Sequence, residues 1–192
     1  MSPQRSNREA LIEGALECIA KKPTAAITAR DISAASGANL ASIVYHFGSK
    51  DALLAHALEE GFKRWLAELS AAMGDLTGLS PVERLKRAVQ CLQSSMKRHR
   101  GLVHAFLAAI ARAPHDDALR DVLARSYSES RRAVATLLDL GEDEEAIEVS
   151  SLILATFDGL LIQALVDRGR QLDAAAVWHG IGRLSELAGA ES

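Results

Sequence analysis

The 192-residue chain has a formal net charge of −3, a hydrophobic fraction of 48% and an aromatic fraction of only 4%. Alanine and leucine must therefore form most of the core, which is typical of helical proteins and favours an all-α fold. The charge is uneven, because the first 50 residues carry six Lys or Arg and four Asp or Glu, whereas the remainder carries 16 and 21. This basic excess favours an N-terminal module that faces a polyanion.

The cysteines and the apolar segments exclude two classes of protein. Cys18 and Cys91 lack metal-ligand spacing, so a disulfide framework is excluded and both are predicted to be core residues. The longest apolar stretch, Leu152 to Val166, contains Asp158 and Gln163 and is shorter than the roughly 20 residues of a membrane span. Because no N-terminal secretion signal is present, we predict a cytoplasmic protein that does not enter a membrane.

The first three predicted helices are closely spaced. An apolar stripe at helical spacing predicts a helix from about Arg5 to Lys21, which ends before the next proline. Thr28 to Asp31 fits a capping box, in which a hydroxyl caps the helix start and an acid follows three residues later. Ser36-Gly37 then allows a tight turn, and Asn39 caps a second short helix that ends at Gly48.

Apolar residues at helical spacing predict six further helices. The first begins at Ser49, the second begins at Pro81, and the third lies between Gly101 and Pro114. The fourth runs from about His115 to Leu140, the fifth runs from about Glu142 to Arg168, and the sixth begins after a cap at Asp173. The chain shows no strand signal and no internal repeat. We therefore predict an all-α fold of about nine helices.

Residues 28–47 meet the requirements of a helix-turn-helix, which needs two short helices at a steep angle and a tight turn between them. Ile32, Ile43 and Phe47 can pack beneath these helices, against the first helix. The outward-facing side chains include donors suited to phosphate oxygens or base edges: Thr28, Arg30, Ser42, Tyr45, His46 and Lys50. We predict a three-helix DNA-binding domain at residues 1–50 and a helical regulatory and dimerisation domain at residues 51–192.

Two segments, Thr28 to Gly37 and Tyr45 to Leu54, resemble the DNA-binding domain of the TetR family of repressors. The resemblance covers about the first 60 residues and is specific, because the turn glycine, the aromatic-His-Phe block, the capping serine and the lysine stand in the family's order and spacing. Beyond residue 70 it is one of helix number and length, with Asp158 to Leu160 similar to a penultimate-helix pattern of some members. The resemblance implies a transcriptional regulator that binds double-stranded DNA, and members of the family are usually repressors.

The resemblance also implies roles for individual residues in DNA binding. The residues implied in base reading are Arg30, Asn39, Leu40, Ala41 and Ser42. The residues implied in contacts to the DNA backbone are Thr28 with helix amides such as that of Ala29, and then Tyr45, His46 and Lys50. Val44 stands where many members carry an aromatic residue, so one expected contact is weakened, and Phe47 belongs to the core.

The predicted helix from about Glu142 to Arg168 is apolar nearly all round, so it must be covered on two sides. One side is its own core, and we predict that a twin subunit covers the other. The predicted interface residues are Leu154, Leu161, Leu165, Trp178, Ile181 and Leu184. The family forms a four-helix interface of this kind. The alternative is a larger core within a single chain.

The resemblance further implies that a small-molecule inducer binds between the middle helices and shifts the spacing of the two recognition helices. The candidate pocket residues are Trp65, Cys91, His99, His104, Phe106, Tyr127 and Phe157. Most of them are equally good core residues. Their mixture of apolar and imidazole groups suits a largely hydrophobic molecule.

Two other classes of function were weighed. His99 and His104 are five positions apart and interrupted by Gly101, so they lack the spacing of two metal ligands on one helix face. No nucleophile motif and no phosphate-binding glycine loop is present, so we predict no catalysis, metal or cofactor. A helical adaptor, or a small-molecule-binding protein without DNA binding, would leave the block from Tyr45 to Lys50 unexplained.

Overall fold

The computed structural model describes residues 6–167 and 174–189, and within these ranges the chain contains nine α-helices and no strand. The helices are α1 (Asn7–Lys21), α2 (Ala29–Ser36), α3 (Leu40–Phe47), α4 (Lys50–Met73), α5 (Pro81–Met96), α6 (Arg100–Arg112), α7 (Asp117–Leu138), α8 (Glu144–Val166) and α9 (Ala174–Gly189). Two 3₁₀ turns cover Thr24–Ala26 and Ala113–His115. The prediction of an all-α fold with about nine helices is confirmed.

Short polar side chains decide where several helices begin. Ser6 forms a capping box with Glu9, which starts α1 two residues later than the sequence predicted. The predicted capping box of Thr28 and Asp31 starts α2, and the predicted cap at Asn39 starts α3. Asp143 caps α8 through the backbone N–H of Ala146. Each cap satisfies an amide that has no partner inside its helix.

Gly101 was predicted to delimit the start of a helix, and α6 begins one residue before it, at Arg100. A Cβ atom at Gly101 would lie 2.4 Å from the carbonyl oxygen of Ile19 in α1. The glycine is therefore explained by close packing of α6 on α1 and not by a helix break. The predicted helix end at Arg168 and the predicted cap at Asp173 lie outside the described residues.

The chain divides into two compact units. The first contains the residues up to Ala72 together with Ser95–Ser128, so α6 and the first turns of α7 belong with the N-terminal helices. Its most deeply buried side chains are Leu11, Ile27, Ile32, Ile43, Leu53 and Val103. The second contains α5, the later turns of α7, α8 and α9, with Val89, Leu138 and Ser150 buried. The functional boundary near residue 50 stays a prediction.

Over the part of the chain that the structure describes, no helix combines the length and apolarity needed to cross a bilayer. The same residues contain no cluster of three or more His, Cys, Asp or Glu side chains able to hold a metal ion. Cys18 is buried in the first unit, and this burial raises the pKa of its thiol. The thiol is thus a core group, as the sequence predicted.

Candidate nucleic-acid interface

The turn between α2 and α3 is held in one conformation by local contacts. Gly37 has a φ of 69°, which a side chain would strain. The Ser33 hydroxyl donates to the Ala38 carbonyl oxygen at 2.5 Å, and the Ala38 amide donates to the Ser36 hydroxyl at 3.1 Å. A Cβ atom on Gly14 of α1 would lie 2.8 Å from Ser36, so α1 and α2 approach closely. The two short helices therefore sit on α1 as a fixed pair.

The N-terminus of α2 is organised around Asp31. Its carboxylate accepts hydrogen bonds from the Thr28 hydroxyl at 2.6 Å and the Thr28 amide at 2.7 Å, and it pairs with the Lys22 ammonium at 2.7 Å. The Lys22 ammonium first, and the two Thr28 donors next, hold the pKa of this carboxyl well below its usual range. The amides of Ala29 and Arg30 lie at the start of α2, before Ile32, whose backbone amide donates to the Thr28 carbonyl oxygen. Because amides at a helix start have no acceptor within the helix, a phosphate can approach those of Ala29 and Arg30.

The recognition helix α3 presents an unusual face to solvent. Tyr45 is 84% exposed, Val44 is 66% exposed and Leu40 is 43% exposed, whereas Ile43 is buried between α3 and the rest of the unit. The predicted contacts Asn39 and Ala41 are also exposed, and Ser42 is half-buried. Apolar side chains that point into water from a short helix are suited to thymine methyl groups and groove walls.

Lys50 does not reach freely into solvent. Its ammonium donates to the Ile27 carbonyl oxygen at 3.1 Å and lies 3.3 Å from the Asp51 carboxylate. The side chain thus ties the first turn of α4 to the segment that precedes α2. An ammonium has three donors, so one is left for a phosphate. The predicted contact of Lys50 with the DNA backbone stays a prediction. Within the protein, Lys50 also has a structural role.

The C-terminal end of α3 forms a row of rings. The Tyr45 and His46 ring centroids are 4.8 Å apart, and those of His46 and Phe47 are 6.3 Å apart. The Phe47 ring is half-buried. Its centroid lies 5.6 Å from the His56 ring centroid and 5.2 Å from the Cζ atom of Arg8. Sequence reasoning missed Arg8 and His56, because α1, α3 and α4 bring them together through space and no local pattern links them.

The predicted inducer-binding residues lie in three separate places. Trp65, His99, Phe106 and Tyr127 join an aromatic cluster in the first unit, which also includes Phe62. The Trp65 indole N–H donates to the buried Ser95 hydroxyl at 2.9 Å, and its ring stacks on His99 at 5.1 Å. His104 is exposed on α6, outside this cluster. Cys91 and Phe157 are half-buried in the second unit.

A small cavity of about 140 Å³ lies in the first unit, where α4 begins, α6 ends and α7 begins. Alanines from all three helices form much of its wall, together with Leu54, Leu58 and Leu119. The Arg112 guanidinium lines it and pairs with Asp116 at 3.3 Å and Asp51 at 3.8 Å. Since Asp51 also pairs with Lys50, charged groups link the α6–α7 corner to the start of α4.

The second unit carries most of the exposed large hydrophobic side chains. On α8 they are Ile147, Leu152, Ile162 and Val166, and on α9 they are Ile181, Leu184 and Leu187. Of the predicted interface residues, Ile181 and Leu184 are exposed, while Leu154, Leu161, Leu165 and Trp178 are half-buried. The interface itself stays a prediction. Both helices therefore leave apolar side chains uncovered within a single chain.

An N-terminal helix-turn-helix with an exposed recognition helix, followed by a larger helical body, defines a DNA-binding transcriptional regulator. Comparison with protein families agrees with this class. Residues 11–57 match the bacterial regulatory proteins of the tetR family, and residues 81–183 match the C-terminal domain of BetI-type transcriptional repressors. The chain belongs to the TetR family of transcriptional regulators.

Solved structures of regulators share this fold. A transcriptional regulator from Pseudomonas aeruginosa PAO1 is 25% identical with a TM-score of 0.64, and the match covers 84% of this chain and 80% of that one. A regulator from Streptomyces coelicolor A3(2) is 20% identical with a TM-score of 0.70, covering 93% and 98%. The multidrug binding protein EbrR, solved with imidazole, is 22% identical with a TM-score of 0.67, covering 94% and 96%. No curated protein sequence is significantly similar to this chain.

Proposed function

We propose that this regulator is a repressor that binds a palindromic operator as a homodimer and leaves it when a small molecule binds. The observation that carries the proposal is the solvent-facing side of α3, where Leu40, Val44 and Tyr45 are exposed on a helix anchored by buried Ile43. Family membership supports a DNA-binding role. A regulator that acts on the chromosome works in the cytoplasm and needs no catalysis.

We assign the DNA contacts to two classes. Arg30 is exposed, and among the described residues no carboxylate pairs with it, so its planar fork is free to bind the O6 and N7 atoms of a guanine. The exposed turn Asn39–Ser42 reads neighbouring bases, with Val44 beside it. Thr28 with the Ala29 amide, Tyr45, His46 and Lys50 fix the position of the protein on the phosphates.

The homodimer is proposed from the uncovered side chains of α8 and α9. Val166 is 81% exposed and Leu184 is 68% exposed, which costs hydrophobic free energy in a monomer. Packing against a second copy would bury both. Two recognition helices related by a two-fold axis would then read two half-sites, which multiplies the discrimination between operator and random DNA.

The small-molecule response is proposed from the aromatic cluster of the first unit, in which Trp65, His99, Phe106 and Tyr127 join Phe62. The fold that this chain shares with the multidrug binding protein EbrR supports a binding role for the helical body. An aromatic lining suits a largely hydrophobic molecule. The charged series Asp116, Arg112, Asp51 and Lys50 offers a route by which movement of α6 or α7 would reach the start of α4.

Selection of genomic fragments by the full-length protein tests the proposal. The protein should enrich a palindromic sequence from its own genome and bind it more tightly than random duplex of equal length. Both affinities should fall steeply with salt, because phosphate contacts release counterions. Absent or salt-insensitive binding across the fragment pool would overturn the DNA-binding role and favour an adaptor that binds only other proteins or small molecules.

A further inference from the structure

We propose that Arg8, in the first turn of α1 and outside the helix-turn-helix, binds a DNA phosphate and extends the DNA-binding surface beyond α2, α3 and the start of α4. The inference rests on the proposed DNA-binding function. It begins from one contact: the Arg8 guanidinium lies over the Phe47 ring, 5.2 Å from the ring centroid. This is within the distance at which a cation is attracted by an aromatic face.

The place of Arg8 relates it to the recognition helix. Phe47 is the last residue of α3, and it continues the row of rings formed by Tyr45 and His46. Tyr45 is the most exposed of the three and is assigned to the DNA backbone. Arg8 is itself exposed, and the ring that it lies over is next to that of His46, a residue assigned to the DNA backbone.

The chemistry of the contact leaves Arg8 able to bind an anion. A guanidinium that lies over a ring keeps its N–H donors at its edge, and the ring does not neutralise the positive charge. Phe47 therefore restrains the side chain without occupying its hydrogen bonds. Restraint before binding lowers the entropy that a flexible arginine loses when it meets a phosphate.

Acidic neighbours do not compete for Arg8. Some other arginines of the first unit are paired with carboxylates, as Arg64 is with Glu13 and Arg112 with Asp116. Over residues 6–167 and 174–189, no carboxylate lies within ion-pair distance of Arg8. The carboxylate of Glu9, next in sequence, accepts a hydrogen bond from the Ser6 amide in the α1 capping box. The Arg8 charge is thus available to a ligand.

The test compares Arg8→Ala with Arg98→Ala, because Arg98 is an equally exposed arginine of the first unit that has no assigned DNA role. Full-length proteins are titrated with the selected operator and with random duplex at several salt concentrations. We expect Arg8→Ala to lower the affinity for both duplexes about tenfold. It should also reduce the magnitude of the slope of log K against log salt by about 0.9 for each Arg8 in the complex. Arg98→Ala should change neither quantity.

Two further variants separate charge from packing. Arg8→Lys should restore most of the salt slope, because the charge is kept while the planar fork is lost. Arg8→Gln keeps the length of the side chain and serves as the neutral variant if Arg8→Ala lowers the melting temperature measured by circular dichroism. A weakened affinity with an unchanged slope, or a loss equal to that of Arg98→Ala, would overturn the phosphate contact. If the wild-type protein does not bind duplex DNA at all, the proposed function itself has failed.

Discussion

The two compact units expose apolar side chains for different reasons. On α3, a helix of eight residues, Leu40 and Val44 are exposed one turn apart and Tyr45 directly follows Val44, next to polar caps and cations. On α8 and α9 the exposed residues are aliphatic and form longer rows, including Leu152, Val166 and Leu184. The first surface mixes apolar and charged groups and suits nucleic acid, whereas the second resembles half of a protein core and suits a second copy.

The largest expected effect is on the α8–α9 surface. Leu184→Glu should convert the proposed dimer to a monomer, because a carboxylate would be buried without a partner at the interface. Operator affinity should then fall by at least about 100-fold, since two linked half-site contacts become one. Sedimentation velocity and an operator titration measure both changes.

Val82→Glu is the matched control for Leu184→Glu, because Val82 is an exposed apolar residue on α5 and has no assigned interface role. It should leave the oligomeric state and the operator affinity unchanged. A dimer that persists in Leu184→Glu, with normal operator affinity, would place the interface elsewhere.

The next effect is on base reading by α2. Arg30→Ala should cost about 1 to 3 kcal/mol of specific binding free energy and relax the preference at one base pair of each half-site. Affinity for random duplex should change much less. Operator variants measured by fluorescence anisotropy give the comparison, and an equal loss on both duplexes would assign Arg30 to a phosphate instead.

A smaller effect is expected at the start of α2. Thr28→Ala removes the hydroxyl that caps the Asp31 amide, so the free energy of unfolding should fall by about 1 kcal/mol. Thr28→Ser keeps a hydroxyl and should recover most of this loss. Urea unfolding of the three proteins checks the prediction, and equal stability of the alanine and serine variants would contradict the role of the cap.

The smallest effect concerns pH. The folded-state pKa of Asp31 is depressed, chiefly by Lys22. The ionised carboxylate therefore stabilises the fold above the ordinary aspartate pKa, near about 4. This stabilisation is lost as the pH falls below that value. The melting temperature of wild type should exceed that of Asp31→Asn at pH 7, and the gap should narrow at pH below about 4. A gap that does not change with pH would mean that the ionised carboxylate is not what stabilises α2.

Local sequence was sufficient for part of this surface. The capping box at Thr28, the glycine turn at Gly37 and the cap at Asn39 each depend on residues within a few positions of one another, and each was predicted correctly. The resemblance to the TetR family placed them in a helix-turn-helix, and family comparison confirmed it. Short-range hydrogen bonds are visible in sequence because their partners are neighbours.

Several polar and close-packing contacts between distant residues were not predicted. Lys50 reaches the Ile27 carbonyl 23 residues away, and Arg8 meets Phe47 only because α1 and α3 pack together. Gly101 was predicted only as the start of a helix, and the 2.4 Å approach to Ile19 shows its packing role. In each case the partner is fixed by tertiary structure, so spacing along the chain carries no signal for it.

Hydroxyl-radical footprinting of the full-length protein on its selected operator tests the central claim most directly. We expect two protected segments related by a two-fold axis, with their centres separated by about 10 base pairs or a multiple of one helical turn. Protection should disappear at high salt and weaken in both segments together in Arg30→Ala. A single unsymmetrical protected segment, or no protection of a sequence the protein enriched, would contradict a dimeric repressor that reads DNA through α3.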